Sequence, residues 1–446
     1  MEDDPKDILS PLLTKPQIQK QIERLEKIVK EAEKRVDYTV ANDEHIVRAI
    51  QCVERFLRRK RLVCYGGQAI NALLPKARKF YDEKFSIPDY DFFSPYMKED
   101  VEELIEEFKK DGFEDISKKL SVHDGTIKIY VNYIPVADCS EMSKEMFKTI
   151  QKRAHVVNGI LYCDPDVLRM MMYLELSRPR GEVKRWKKVF ERLTLLNNTY
   201  PLTACNDDIQ LGPVSEEIRR LLLDYCLKRS LVMAGPEFIE LMYYNKGTTL
   251  LQTLAKRGGP IIFFSDKPKI DAEDIRDILQ NFQKTGGSKK KVVIEENTYP
   301  SDHLFNYVAV RRGNERIALI FQEDSCHSYT LLTIDGGTKL RVGTPDLLLH
   351  LYYTLMIFGK KEKWYFQNSL ECLVKKLYKI SEKARSYPTS FVPAFGLRCS
   401  GHQRGIATLL KLKAKRTEKI KMKGSNPKTN RNANAKTKTK NKTRRL

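Results

Sequence analysis

The 446-residue sequence predicts an α/β (α+β) chain built as two similar halves, each a mixed sheet flanked by helices. Three observations predict it. Short β-rich runs such as Arg61-Leu62-Val63-Cys64-Tyr65 alternate with longer segments of helical period. Four blocks of sequence return later in the same order, as in an internal duplication. A stretch of turn formers, Asn197 to Pro213 (NNTYPLTACNDDIQLGP), separates the two sets.

From the N-terminus, Ile18, Ile22, Leu25, Val29, Ala32 and Val36 keep a four-three spacing that predicts an amphipathic helix. Packing of that helix on its own domain is the favoured expectation, with a dimer seam as the alternative. A second helix ends over Glu54 to Lys60. A strand through Tyr65, the turn Gly66-Gly67 and a helix QAINALL follow. The repeat pairs RLVCYGGQAINALL with SLVMAGPEFIELMY, and DYDFFSPYMKEDVEELIEEFKK with PIIFFSDKPKIDAEDIRDILQNFQK. It also pairs Cys163-Asp164-Pro165-Asp166 with Gly343-Thr344-Pro345-Asp346, each a helix start with a capping side chain and proline at the first position. Each of those helices is followed by a basic, Trp-containing segment, RWKKVFERL or KKEKWYFQNSL.

The predicted divisions are a helical segment 1–45, a first domain 46–200, a second domain 201–412 and a disordered basic tail 413–446. The formal charge of +22 points to a polyanionic partner. From Lys411 onward there are fifteen Lys and Arg against one acid, Glu418, so the tail supplies most of the excess. Nine cysteines without a CxxC pair are expected to be free thiols in a reducing compartment. Cys399-Ser-Gly-His402 has no second pair nearby to complete a metal site. The acidic start and the short apolar run Leu347 to Phe358 predict neither a signal peptide nor a membrane span.

Chemistry concentrates between Tyr65 and Asp138. Asp89 and Asp91 sit two apart in the β-type run IPDYDFF, where alternate side chains share a face. Two carboxylates side by side repel, and a divalent cation such as Mg²⁺ relieves that. Gly66-Gly67 allows close backbone approach to a phosphate at a helix start. Asp138, after the apolar run Ile134 to Ala137, is the candidate third carboxylate, its plainer role being a strand-end cap. Arg185, Lys187 and Lys188 are candidate triphosphate contacts, or simply an exposed basic helix end. The second copy carries Pro260 and Ile262 where the first has Asp89 and Asp91, so it lacks that chemistry.

YGGQAINALL, PDYDFFSP, PVADCSEM and CDPDVLRMMMYLEL together resemble the poly(A) polymerase catalytic subunits of large cytoplasmic DNA viruses. Those belong to the polymerase-β-like nucleotidyltransferase superfamily, and the likeness runs from about Leu62 to Leu196. The resemblance implies a nucleotidyltransferase-fold catalytic domain followed by a degenerate second one. It places phosphate binding on Gly66, Gly67 and the adjoining Gln68, which stands where many superfamily members carry serine. It places two Mg²⁺ (or Mn²⁺) ions on Asp89, Asp91 and Asp138. The implied reaction is template-independent addition of AMP from ATP to RNA 3′ ends. A cytoplasmic setting, in a viral factory or virion, follows from the same likeness. A homodimer or an RNA-modifying processivity subunit are the partners it suggests.

Transfer to tRNA ends or to a small molecule, and a non-catalytic RNA-binding subunit, are the competing functions. Retention of three aspartates in one half beside the loss of two in the other argues against the last. The exposed loop Lys289-Lys290-Lys291 is the candidate RNA contact of the second half.

Overall fold

The computed structural model describes residues 14–82, 84–122, 124–203, 205, 211–284, 290–298, 305–359 and 369–424. Two helices lead in, α1 (Lys15–Ala41) and α2 (Glu44–Lys60). The first sheet region then runs β1 (Val63–Tyr65), α3 (Gly66–Leu73), β2 (Tyr90–Ser94), α4 (Met97–Lys110), β3 (Ile116–Leu120), β4 (Thr126–Val131) and β5 (Ile134–Glu141). It closes with α5 (Lys144–Arg153), β6 (His155–Val157), β7 (Ile160–Tyr162), α6 (Pro165–Leu176) and α7 (Trp186–Thr199).

The second half opens with α8 (Glu216–Lys228), β8 (Val232–Met233), α9 (Glu237–Tyr243), β9 (Thr248–Thr249), α10 (Leu251–Ala255), β10 (Ile261–Ser265) and α11 (Pro268–Lys284). Strands β11 (Val292–Asn297), β12 (Tyr307–Arg312), β13 (Glu315–Gln322), β14 (His327–Ile334) and β15 (Thr338–Gly343) follow. The chain ends through α12 (Pro345–Phe358), α13 (Leu370–Ser386), β16 (Cys399–Ser400) and α14 (Ile406–Gly424).

The duplication is visible in the sheets. The first is ordered β3-β4-β5-β2-β1-β7-β6, the second β11-β12-β13-β10-β8-β15-β14, with β16 and β9 added at β14. Strand directions match as well: the β1–β2 and β8–β10 pairs are antiparallel, and the β2–β5 and β10–β13 pairs are parallel. Cys64 opposes Phe92 as Met233 opposes Phe263, which aligns Asp91 with Ile262 residue for residue. Central strands of this kind are covered on both faces and read as apolar runs. All five residues of β10 are buried, and Tyr90, Phe92 and Phe93 of β2 likewise.

The equivalent helices α6 and α12 meet at the junction of the halves. Both start as the sequence predicts: Asp164 accepts from the Val167 amide at 2.9 Å, and Thr344 caps the Leu347 amide. Tyr173 and Tyr353, nine residues past those caps, stack at 6.1 Å across the junction, and His350 Nδ1 contacts the Met170 carbonyl at 2.8 Å. Like position therefore meets like position, so the halves are related by an approximate two-fold rotation.

Several expectations are corrected. No residue of α1 is buried, and Ile18, Ile22, Leu25, Val29 and Val36 are all exposed, so the stripe does not pack on its own domain. Asn197 to Thr199 continue α7 instead of opening the linker; Asn197 is buried and accepts from Arg169 at 2.8 Å. The tail does not lose structure at Leu412: α14 runs to Gly424, and Arg416 pairs with Asp124 at 2.9 Å, returning this helix to the first half. Residues 425–446 lie outside the described residues. The cysteines are not all free. Cys205 pairs with Cys372 and Cys326 with Cys399, each with Cα atoms 5.3 Å apart. The pairs are 167 and 73 residues apart in sequence, so only the fold brings them together. Cys399 is thereby also removed as a metal ligand. Among the described residues no helix is long and apolar enough to cross a membrane.

Candidate active site

The site grows from the register of three adjacent strands. Tyr65 of β1 opposes Asp91 of β2, and Asp91 opposes Asp138 of β5. Neighbouring strands lie about 4.8 Å apart, so the two aspartates start from adjacent backbone positions. Asp89 precedes β2 by one residue and lies within the field of Asp138. The pairing of Asp138 is parallel and mid-strand, which is not the geometry of a strand-end cap.

Crowding of the three acids is electrostatically costly. Burial, then the charge of Asp138, pushes the Asp89 carboxyl up to about 6, against the pull of Lys128. Burial, then Asp89 and Asp138, pushes Asp91 up to about 7, with Lys128 and Arg185 acting the other way. Lys128 stands opposite Asp138 on β4 and its ammonium pairs with Asp138 Oδ2. Burial works against that ammonium, but the hydrogen bond and charge of Asp138, then Asp89 and Asp91, hold it protonated above its usual range. The sequence reasoning missed Lys128. Its position in the strand TIKIYV, ten residues before Asp138, was the available signal. Beneath the acids, Ser140 links Thr126 at 2.8 Å to the Tyr65 hydroxyl at 2.7 Å.

The glycine pair has two distinct neighbours. Gly66 is in the left-handed region (φ +73°), and a Cβ there would stand 2.3 Å from Asp91 Oδ2. A Cβ on Gly67 would stand 2.7 Å from Arg192 Nη1 and 2.8 Å from the Tyr81 hydroxyl. Gly66 is favoured by its left-handed backbone, and a side chain at Gly67 would have to displace the ends of Arg192 and Tyr81. Gln68 follows in α3 and is half-buried.

Of the basic residues after α6, Arg185 pairs with Glu175 at 3.2 Å and with Glu182 at 3.1 Å. Its field reaches Asp91. Lys188 and Arg192 follow at helical spacing on the same face. Partial burial, then the charges of Arg192 and Arg185, lower the Lys188 ammonium below its usual range. Lys187 points away from that face, and it is exposed. Arg192 was also missed, although it lies within the basic segment RWKKVFERL, at helical spacing from Arg185 and Lys188. The second-half lysines are not brought to the aspartates. Lys290, paired with Glu315 at 3.0 Å, and Lys291 flank β11, the outermost strand of the second sheet. The junction with the first half is at the other edge, where the Ser328 amide donates to the Ser177 carbonyl at 2.9 Å. Lys289 lies outside the described residues.

The donor set suits a hard divalent cation. Asp138 is buried and its Oδ1 has no hydrogen-bond partner, a state that costs about 1–3 kcal/mol and that an ion would relieve. Asp89 and Asp91 repel until a cation is placed between them. Among the described residues no three such side chains already converge as a metal-binding group. Lys128 is paired with Asp138 Oδ2.

With this geometry in view, the similarities to known proteins are informative. Residues 51–182 match the sequence family described as poly(A) polymerase catalytic subunit. A protein of African swine fever virus, named as such a subunit, is 32% identical over 169 residues, covering 36% of this chain and 35% of its own length. A mimivirus protein of Acanthamoeba polyphaga mimivirus with the same name is 26% identical over 231 residues, covering 48% of this chain and 38% of its own. The chain thus spans little more than a third of the length of these relatives. In three dimensions the Megavirus polyadenylate synthase matches with a TM-score of 0.74 at 17% identity, covering 95% of this chain and 87% of that one. Both halves therefore share the fold of a polyadenylate synthase, and the segment that holds Gly66, Asp89, Asp91 and Asp138 is similar to poly(A) polymerase catalytic subunits.

Proposed function

We propose that the chain is a template-independent polynucleotide adenylyltransferase that adds AMP from ATP to RNA 3′ ends. One observation carries this reading: Asp91 and Asp138 are direct neighbours on parallel strands, with Asp89 alongside, in the half similar to the polymerase subunits.

Asp89, Asp91 and Asp138 would hold Mg²⁺ or Mn²⁺, two ions in the full site. Bound there, the ions supply charge neutralisation at the phosphates and lower the pKa of the primer hydroxyl. The chain's own residues do the remainder. The Gly66-Gly67 turn would receive the triphosphate between the Asp91 carboxylate and the Arg192 guanidinium, which stand over the two glycines. Arg185 and Lys188 add positive charge on that side. In the reaction the primer 3′-oxygen bonds to the α-phosphorus, the bond from that phosphorus to the bridging oxygen breaks, and pyrophosphate leaves with the electron pair. Asp138 Oδ1, buried and without a partner, is the candidate acceptor of the hydroxyl proton. Lys128 pairs with the other oxygen of Asp138.

The same reading extends to partners and place. The heptad face of α1, β-branched at Ile22, Val29 and Val36 with Leu25 between, has the pattern of a two-stranded parallel coil and supports pairing with a second copy. A cytoplasmic viral setting is proposed by analogy with the relatives.

Gel-resolved extension of a 5′-labelled RNA primer with each NTP in turn tests the function. ATP-dependent growth of the primer is expected, and growth with all four NTPs alike, or none, overturns it.

A further inference from the structure

Helix α7 brings to the glycine turn the second arginine of the basic segment RWKKVFERL, Arg192. Arg192 Nη2 donates to the Tyr81 hydroxyl at 2.6 Å, and its guanidinium lies over the rings of Phe80 at 4.5 Å and Tyr81 at 5.2 Å. Those rings come from the long spacer between Gly67 and Asp89. The spacer is folded back on α3 by Asn71, a buried amide whose Oδ1 accepts from the Phe80 amide at 2.9 Å and the Tyr81 amide at 3.0 Å. A side chain at position 67 would displace this guanidinium, because Arg192 Nη1 stands 2.7 Å from where the Cβ would be.

Arg192 is half-buried, always charged, and among the described residues makes no ion pair; its partners are a hydroxyl and two ring faces. Glu175 feels its field but is engaged by Arg185. The second half shows the complemented form of such a turn. There Glu237 stands at the position of Gln68, its carboxylate crowds Gly235, and it pairs at 2.9 Å with Arg219, both side chains fully buried. That half supplies an anion to its own glycine turn. The first half presents a cation and leaves the anion out.

Gly66 faces Asp91 and Gly67 faces Arg192, so an anion on the turn has the metal-binding carboxylates on one side and Arg192 on the other. The α-phosphate must lie toward the aspartates, which leaves the distal phosphates toward α7. We infer that Arg192 binds the β- and γ-phosphates of ATP and remains on pyrophosphate as it leaves. Asn71, Phe80 and Tyr81 are positioning residues for its guanidinium. This rests on the nucleotidyltransferase function proposed above.

Steady-state kinetics on the full chain test it, with ATP varied at saturating primer and then the reverse. Arg192→Ala should raise the KM for ATP and the inhibition constant of pyrophosphate by a common factor of about 10–100, the size of a lost charge-assisted hydrogen bond. The KM for primer and the inhibition constant of AMP should not move. Arg192→Lys should recover part of the loss, and Tyr81→Phe should cost about 2–5-fold in ATP KM alone. A shift in primer KM without one in ATP KM, or weaker AMP inhibition with pyrophosphate unchanged, overturns the assignment. Equilibrium dialysis of ATP and of pyrophosphate with the same variants separates the two proposals. If the wild-type chain binds both ligands but extends no RNA, the function fails, and weaker binding by Arg192→Ala still upholds the site. Equal binding by wild type and Arg192→Ala overturns the site even where extension succeeds.

Discussion

The two halves share one scaffold and differ in what they do with its centre. Both keep a serine at the end of the central strand hydrogen-bonded to an aspartate in the next helix: Ser94 with Asp100, and Ser265 with Asp271. Both tie that aspartate to a base at the end of the helix before β1 or β8, Lys60 at 2.8 Å in one and Arg229 at 3.0 Å in the other. The strand-to-helix hinge is therefore a folding requirement that duplication has left in place. The carboxylates are not. Asp91 and Asp138 correspond by register to Ile262 and Leu319, both fully buried, and Asp89 corresponds to Pro260. The glycine turn follows the same division. In the second half Arg219 donates to Glu237 and to the carbonyls of Leu254, Ala255 and Gly259, which leaves no donor facing a ligand. In the second half the buried Glu237 is paired with Arg219, whereas in the first, among the described residues, Arg192 has no ion pair.

The largest expected effect separates the halves by activity. Asp89→Ala, Asp91→Ala or Asp138→Ala should each lower the extension rate by about 10³-fold or more, since several kcal/mol of transition-state stabilisation is lost. Installing aspartates at Pro260 and Ile262 should yield no second site and should destabilise the chain by about 3–5 kcal/mol, because Ile262 is fully buried and nothing there pairs with a charge. Activity from those installed carboxylates in an Asp91→Ala background would break the division.

Next in size is a stability contrast between two arginines. Arg219→Ala strands Glu237 in the interior and should cost about 3–5 kcal/mol in urea unfolding, with much of it regained in Arg219→Met/Glu237→Leu. Arg192→Ala should cost less than about 1 kcal/mol, because no buried carboxylate is left behind. Similar losses from both would mean that Arg192 is as structural as Arg219.

A smaller effect depends on pH. The Asp91 carboxyl titrates at about 7 in the folded chain and near 4 when unfolded. Between those values only the folded state holds the proton, so this group's contribution is full below about pH 4 and is lost as pH rises through 7. Asp91→Asn escapes that loss. Without divalent ions it should match wild type near pH 4 and exceed it by about 1–2 kcal/mol near pH 8, after allowance for solvent screening. Adding Mg²⁺ should then raise the Tm of wild type and not of the variant. A pH-independent difference would place Asp91 outside the crowded acid cluster. The smallest expected change is at the contact that joins the end of the second half to the first. Arg416→Ala should cost under about 1 kcal/mol, since Asp124 is largely exposed. A larger loss in thermal unfolding would make α14 part of the first half's core.

Much of this was legible in the residues. The duplicated order of β and α segments, the capped starts of α6 and α12, and the paired aspartates of one half all depend on local pattern, which survives without knowledge of neighbours. Other features needed the neighbours. Lys128 matters because β4 lies in register beside β5, and Arg192 because a spacer with no periodic signal folds onto Asn71. The apolar stripe of α1 signals burial by period alone, yet among the described residues no element covers it. The cysteine spacing carried no trace of which thiols the second half would bring within reach of one another.

The sequence by itself determined the secondary elements, their duplication and the identity of the acidic residues, because these rest on periodicity and residue chemistry along the chain. Tertiary structure alone decided which charges confront each other. Asp138 beside Lys128, Glu237 against Arg219 and Arg192 without an acid among the described residues are consequences of strand register and helix packing. Electrostatic pairing acts over a few ångströms in space, whatever the separation along the chain.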